Sequence, residues 1–84
     1  MDKVIYCEDN VYEIDTYIFD YLLEIGFDNV QIYPYNPINN IIRFEYNNTY
    51  VLIKIENVSN KIKITFGLPK KIILTNQTNQ TNQI

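Results

Sequence analysis

The sequence predicts an α+β fold in which one amphipathic N-terminal helix packs on one face of a three- to four-stranded antiparallel meander. Between Asn10 and Ile25, apolar residues recur every three or four positions, as on one side of a helix. From Ile41 onward they alternate with polar residues, as in strands that bury one face. The chain has 84 residues, enough for one domain, which we place at residues 1–74.

The helix is predicted from Asn10 to Ile25. Its buried stripe should consist of Val11, Ile14, Ile18, Leu22 and Ile25. Asn10 and Glu13 have the spacing of a capping box, in which each side chain accepts a hydrogen bond from the backbone amide of the other residue. Gly26 can adopt the left-handed conformation that ends a helix, and Phe27 can fold back as the apolar contact of that cap.

The segment before the helix has two interpretations. Val4-Ile5-Tyr6 is a β-branched and aromatic run, which favours a short strand or an extended lead-in. The alternative is a longer helix that starts near Lys3. Cys7 is the single cysteine and is interpreted as a small buried hydrophobic residue, because no His and no cluster of Lys or Arg lies nearby in sequence to activate its thiol.

After the helix the sequence contains four strand-like runs, at Val30–Tyr33, Ile41–Tyr46, Tyr50–Glu56 and Lys61–Phe66. Turns are predicted at Asn47-Asn48 and across residues 57–60. Lys70 to Leu74 either adds a short fifth strand or packs as an apolar end. The inward side chains should be Ile42, Phe44, Tyr46, Val51, Ile53, Ile55, Ile62, Ile64 and Phe66. Residues 75–84 repeat Thr-Asn-Gln and are predicted to form a disordered tail.

The composition lacks the residues that common enzyme chemistries need. There is no His, one Cys and two Gly. Histidine-dependent nucleophilic catalysis, an ordinary zinc site and a glycine-rich phosphate loop are therefore excluded. A carboxylate pair acting as acid and base is the enzymatic alternative, but a domain this small has little room for a substrate cleft. We predict a non-enzymatic protein with no catalytic, metal-binding or cofactor-binding residues.

Two further absences bear on location. No apolar run approaches the roughly 18 residues that a membrane span requires. The N-terminus also lacks the succession of basic, apolar and small residues that marks a signal peptide. We therefore expect a cytoplasmic protein that does not interact with membranes.

Charge is distributed unevenly along the chain, although the net charge is only −3. Residues 1–36 contain eight acidic residues against Lys3 alone, whereas residues 37–84 contain six basic residues against two acidic ones. Such a split indicates charged partners. The helix shows it most clearly, because Glu13, Asp20 and Glu24 lie within about 40° of one another, with Tyr17 beside them. These four residues form either an ordinary solvated face or a docking strip for a protein with a basic surface.

The helix also carries more apolar residues than one contact with a sheet can cover. Tyr12, Phe19 and Leu23 lie beside the buried stripe, and Asp15 falls within the same widened arc. Either Val4 to Tyr6 covers these three apolar residues, or they form a patch for a partner or for a second copy in a homodimer.

The outer sheet face is the third candidate surface. Its predicted residues are Gln31, Tyr33, Tyr35, Ile41, Arg43, Glu45, Tyr50, Leu52, Lys54, Lys61 and Lys63. Aromatic residues interleaved with basic ones can bind single-stranded nucleic acid, here through Tyr33, Tyr50, Arg43, Lys54, Lys61 and Lys63. Against this, the isoelectric point near 4.7 is far from the basic value typical of such proteins. Cross-strand Tyr and Lys pairs on a solvated sheet are the alternative.

The chain uses Ile, Asn and Tyr heavily and contains no Ala, a bias typical of an AT-rich genome. With its small size, acidic helix and missing catalytic groups, it resembles in kind the accessory proteins of phages, archaeal viruses and mobile elements. That resemblance implies an inhibitor or modulator of a host protein, such as a defence or nucleic-acid-handling protein, in the host cytoplasm.

Overall fold

The described part of the fold consists of one helix and five strands. The computed structural model describes residues 2–28 and 40–73. In chain order the elements are β1 (Lys3–Cys7), α1 (Val11–Glu24), β2 (Asn40–Tyr46), β3 (Thr49–Val58), β4 (Lys61–Phe66) and β5 (Lys70–Lys71). The predicted α+β class is confirmed. The strand predicted at Val30–Tyr33, the outward residues Gln31, Tyr33 and Tyr35, and the tail predicted at 75–84 lie outside the described residues.

The sheet has the order β1-β4-β3-β2, and its described pairs are antiparallel. Strands β2, β3 and β4 form the predicted meander. Strand β1 pairs with β4, from Lys3 opposite Phe66 to Cys7 opposite Ile62. The strand interpretation of Val4 to Tyr6 is therefore confirmed, and the alternative of a helix beginning near Lys3 is wrong. Strand β5 is shorter than the predicted Lys70–Leu74 and pairs with the start of β3.

Both hairpin turns use two residues with positive φ. Asn47 and Asn48 have φ of 52° and 60°, and Ser59 and Asn60 have φ of 51° and 67°. Two consecutive residues in this region are typical of the tight turns whose twist matches that of paired strands. The second turn is therefore shorter than the predicted residues 57–60. As a result, β3 continues through Val58, opposite Lys61.

The N-terminal cap of α1 differs from the prediction in one bond. The Asn10 side-chain oxygen accepts from the backbone amides of Tyr12 and Glu13, at 2.9 and 3.1 Å, as expected for an N-cap. The Glu13 carboxylate, however, accepts from the backbone amide of Glu8, at 3.2 Å. The Asn10 amide donates instead to the Glu8 carbonyl, so the reciprocal bond of the predicted capping box is displaced by two residues.

The C-terminus of α1 follows the prediction. Gly26 has a φ of +83°. Its amide donates to the Leu23 carbonyl, and the Phe27 amide donates to the Leu22 carbonyl. These two bonds define a Schellman motif, which uses carbonyl oxygens that the end of a helix leaves without partners. Phe27 is buried, with its ring centroid 5.8 Å from that of Tyr46.

The core lies between α1 and one face of the sheet. The predicted inward residues of β2, β3 and β4 are all buried or partly buried there, together with Cys7 and Ile5 of β1. On the helix, Ile14, Ile18 and Leu22 are buried as predicted. Two positions differ. Val11 is 49% exposed, and Tyr21, absent from the predicted stripe, is buried.

Helix geometry explains both differences. Val11 is the first helical residue, and helical side chains lean toward the N-terminus, so its side chain has no preceding turn to pack against. Tyr21 projects about 20° from Ile14 around the helix axis, which places it inside the buried arc. Its hydroxyl reaches the Gly67 carbonyl at 2.5 Å, and this bond satisfies the polar end of the ring.

Candidate functional site

The outward side of α1 carries a row of exposed apolar residues. Tyr12, Phe19 and Leu23, here called the helix row, are 80%, 49% and 49% exposed. At 100° per residue they lie within about 40° of one another, and their centre is roughly 135° around the helix axis from the centre of the buried stripe. Strand β1 is held in the sheet by β4, so Val4 to Tyr6 do not cover them. The first of the two predicted explanations is therefore wrong, and within residues 2–28 and 40–73 the helix row remains an exposed apolar surface.

The acidic strip of Glu13, Tyr17, Asp20 and Glu24 is partly occupied by contacts within the chain. Glu24 lies 3.6 Å from the Lys3 amine, and both side chains are more than half exposed. Glu13 accepts the bond from Glu8 that belongs to the helix cap. Tyr17 is exposed, and Asp20 is exposed and forms no ion pair with any described residue. An exposed ion pair such as Lys3–Glu24 contributes at most about 1 kcal/mol, so it leaves Glu24 free to change partner.

Asp15 adds a fourth carboxylate to α1, which carries no Lys or Arg. Its side chain is half-buried, and its Oδ1 atom is shielded from solvent and accepts no hydrogen bond in the structure. A shielded carboxylate oxygen without a donor destabilises the isolated fold. Asp15 lies between the buried Leu22 and the helix row around the helix axis, so it increases the negative potential beside that row.

Ion pairs and one cation–π contact involve the charged side chains of the outer sheet face. Arg43 forms an ion pair with Glu45, with 2.7 Å between Nε and Oε2, and its guanidinium lies 4.0 Å from the Tyr50 ring centroid. Lys54 lies 3.4 Å from Glu56. Lys61 is paired with Glu8, and hydrogen bonding to that carboxylate raises the pKa of the Lys61 amine.

Those contacts affect most of the residues predicted to bind nucleic acid. Arg43, Lys54 and Lys61 each have a carboxylate partner, and one face of Tyr50 is covered by Arg43. Lys63 is half-buried and has no ion pair among the described residues. Tyr33 lies outside the described residues. The Arg43–Glu45 and Lys54–Glu56 pairs each lie within one strand, whereas the Arg43–Tyr50 contact joins β2 to β3. Nucleic-acid binding stays a prediction.

A depression on this outer face was not predicted from the sequence. It has a volume of about 240 Å³ and is lined by Asp2, Ile41, Tyr50, Leu52, Lys54, Thr65, Gly67, Leu68 and Lys70. Gly67 leaves its floor without a side chain. An added Cβ there would lie 2.8 Å from the Leu52 carbonyl oxygen, and that oxygen already accepts the Gly67 amide. In the sequence, Gly67-Leu68-Pro69 indicates that the strand ends after Phe66, but it does not indicate a depression.

The described residues offer little reactive chemistry. Burial raises the pKa of the Cys7 thiol above its ordinary value of 9.0, and Glu13, Glu8 and Asp9 raise it further. The thiol is therefore protonated at neutral pH and weakly nucleophilic. Across residues 2–28 and 40–73, no group of three or more His, Cys, Asp or Glu side chains could hold a metal ion.

Comparison with known proteins finds no family model, no curated protein and no solved structure that matches this chain. Among the described residues, no helix combines the length and the apolar character needed to cross a membrane.

Proposed function

We propose that this protein is a non-enzymatic protein-binding module and that the outward side of α1 is its binding surface. The observation that carries the proposal is the exposure of Tyr12, Phe19 and Leu23 in one row. A monomer gains nothing from three large apolar side chains aligned in solvent, whereas buried aromatic and aliphatic anchors supply most of the free energy of protein association.

The charge of α1 restricts the chemistry of the partner. Asp20 flanks the helix row without an ion pair in the described structure, and Asp15 lies on its other side. A partner that buries the row therefore needs an apolar groove bordered by basic residues, into which a helix can dock. The small size and the AT-type composition support a setting as an accessory protein of a phage, archaeal virus or mobile element, acting on a host protein.

The sheet face supports the nucleic-acid alternative less well. Binding phosphates there would require Arg43, Lys54 and Lys61 to exchange their carboxylate partners for phosphate. The helix row needs no such exchange, and this difference is why we place a protein partner first.

The proposal is tested by capturing partners with immobilised wild-type protein and with a Leu23→Asp variant. Val58→Asp is a matched control, because it also places a carboxylate at an exposed apolar position, but at the far end of β3. Circular dichroism and urea unfolding check that each variant folds. We expect Leu23→Asp to reduce capture of a specific protein by roughly tenfold or more. Equal capture by all three proteins would remove α1 as the binding surface.

A further inference from the structure

We propose that the partner of the outward side of α1 is a second copy of this chain, bound through its outer sheet face. This inference rests on the proposed function, because it names the partner for the same surface as a second copy in place of a host protein. Copies would then associate head to tail, with the helix of one molecule packed on the sheet of the next. Three observations support this arrangement.

The first observation is that the helix and the sheet each have apolar residues on two sides. The inner sheet face is covered by α1, yet the outer face also presents exposed Val4, Tyr6, Ile41, Leu52 and Leu68. Ile41 is 62% exposed. A sheet that is apolar on both faces, and a helix that is apolar on two sides, are typical of layers packed between two others. Stacking one copy on the next would cover both surfaces with a single contact.

The second observation is charge complementarity. Helix α1 carries four carboxylates and no basic residue. The outer sheet face carries more basic than acidic side chains, and neither Lys63 nor Lys70 forms an ion pair within the described residues. Packing two helices symmetrically would bring Asp20 of each copy toward the carboxylates of the other, and packing two sheets would bring lysines together. Only the contact of helix with sheet pairs opposite charges.

The third observation is the shape of the sheet face. The depression between Ile41, Leu52 and Leu68 has a volume of about 240 Å³ and is bordered by Lys54 and Lys70. It therefore offers an apolar floor for an aromatic or aliphatic side chain of the helix row, with cations close to the flanking carboxylates. Such anchors in pockets dominate the free energy of small interfaces. Asp2 is the carboxylate on the same rim.

A head-to-tail contact has a testable consequence for assembly. Each association leaves one helix and one sheet face free, so the assembly grows with concentration until it closes into a ring or extends as a filament. A symmetric dimer through the helix row would stop at two copies. The two arrangements therefore differ in how mass depends on concentration.

The experiment uses sedimentation velocity on the full chain and on two single variants. Leu23→Asp alters only the helix row, and Ile41→Asp alters only the outer sheet face. We expect the wild type to grow in mass with concentration and each variant to associate at least about tenfold more weakly. An equimolar mixture of the two variants should form a heterodimer that does not grow, because the first retains its sheet face and the second its helix row.

An exchange of charges gives a second test that does not alter the apolar packing. Asp20→Lys and Lys63→Glu should each weaken self-association, and their mixture should restore association between the two variants. Circular dichroism would show whether Leu23→Asp or Ile41→Asp prevents folding. If either does, Asp20→Lys and Lys63→Glu still test the head-to-tail contact.

Three outcomes would overturn the inference. A wild type that stays monomeric at every concentration excludes a second copy, while the proposed function stands if Leu23→Asp still abolishes capture of another protein. A discrete dimer that is broken by Leu23→Asp but not by Ile41→Asp shows symmetric pairing through the helix row. If Leu23→Asp changes neither self-association nor capture, both proposals fall.

Discussion

The hydroxyl of Tyr21 donates a hydrogen bond to the carbonyl oxygen of Gly67 across 2.5 Å. This bond joins α1 to the point where the chain leaves β4, and the Tyr21 ring lies 4.6 Å from the adjacent Phe66 ring, measured between centroids. The Gly67 amide in turn donates to the Leu52 carbonyl. One short segment therefore connects the helix, the core and the floor of the outer depression.

Removing the Tyr21 hydroxyl should destabilise the fold while leaving its core volume nearly unchanged. We expect Tyr21→Phe to lower the free energy of unfolding by about 1 kcal/mol, because the Gly67 carbonyl loses its side-chain donor. Urea denaturation followed by circular dichroism measures the change. Tyr17→Phe is the matched control, since Tyr17 lies on the same helix but is exposed. Equal midpoints for the two variants would show that the Tyr21–Gly67 bond contributes no net stability.

The two glycines should respond differently to substitution. At Gly67 an added Cβ would lie 2.8 Å from backbone, so Gly67→Ala and Gly67→Asn should each destabilise the fold by roughly 1–3 kcal/mol. At Gly26 there is open space but a φ of +83°, so Gly26→Ala should cost about 1 kcal/mol and Gly26→Asn less, because Asn tolerates this conformation. Urea midpoints of the four variants provide the comparison. A Gly67→Asn variant as stable as Gly26→Asn would contradict the close approach to Leu52.

Stability should fall at alkaline pH because two buried groups hold their protons more tightly in the folded chain. Burial, with Glu24 and Asp2 contributing, raises the pKa of Tyr21 above 10.0, and burial raises the pKa of Cys7 above 9.0. The unfolded chain therefore loses these protons first. The stabilisation is complete below pH 9.0 and decreases as the pH rises through the ordinary values toward the folded ones.

Urea midpoints measured between about pH 7 and pH 11 test this dependence. Cys7→Ala should flatten the part of the curve near pH 9.0, and Tyr21→Phe the part near pH 10.0. The readout is the slope against pH, so a uniform loss of stability in either variant does not affect it. Lys61, whose pKa is also raised, contributes in the same direction at still higher pH. A wild type whose midpoint rises over this range would contradict the assignment.

The net charge of −3, together with the carboxylate partners of Arg43, Lys54 and Lys61, leads us to expect no binding of single-stranded nucleic acid on the outer sheet face. A mobility-shift assay with single-stranded DNA and RNA at about 50 mM salt is the appropriate measurement, because low salt favours phosphate contacts. A shift that weakens steeply as salt increases, and that is lost in a Lys63→Glu variant, would instead support the nucleic-acid alternative.

Much of the local structure could be predicted because it depends on neighbouring residues. The period of the apolar positions identified α1 and three strands. Asn10 indicated where the helix begins, and Gly26 indicated where it ends. The same helical geometry placed Tyr12, Phe19 and Leu23 together, and Asp20 beside them. Tyr21 was missed because a tyrosine is buried only when its hydroxyl finds an acceptor, and that acceptor belongs to a residue 46 positions away.

The sequence by itself therefore determined the elements, their buried faces and the acidic, partly apolar character of the outward side of α1. Only the tertiary structure decided that β1 lies beside β4, that Arg43, Lys54 and Lys61 have carboxylate partners, and that Gly67 leaves a depression in the outer face. The physical reason is how far apart in the sequence the interacting residues lie. Helical and strand periods are set by bonds between residues close in the chain, whereas strand order, ion pairs such as Lys61–Glu8 and surface depressions depend on which distant segments the folded backbone brings together.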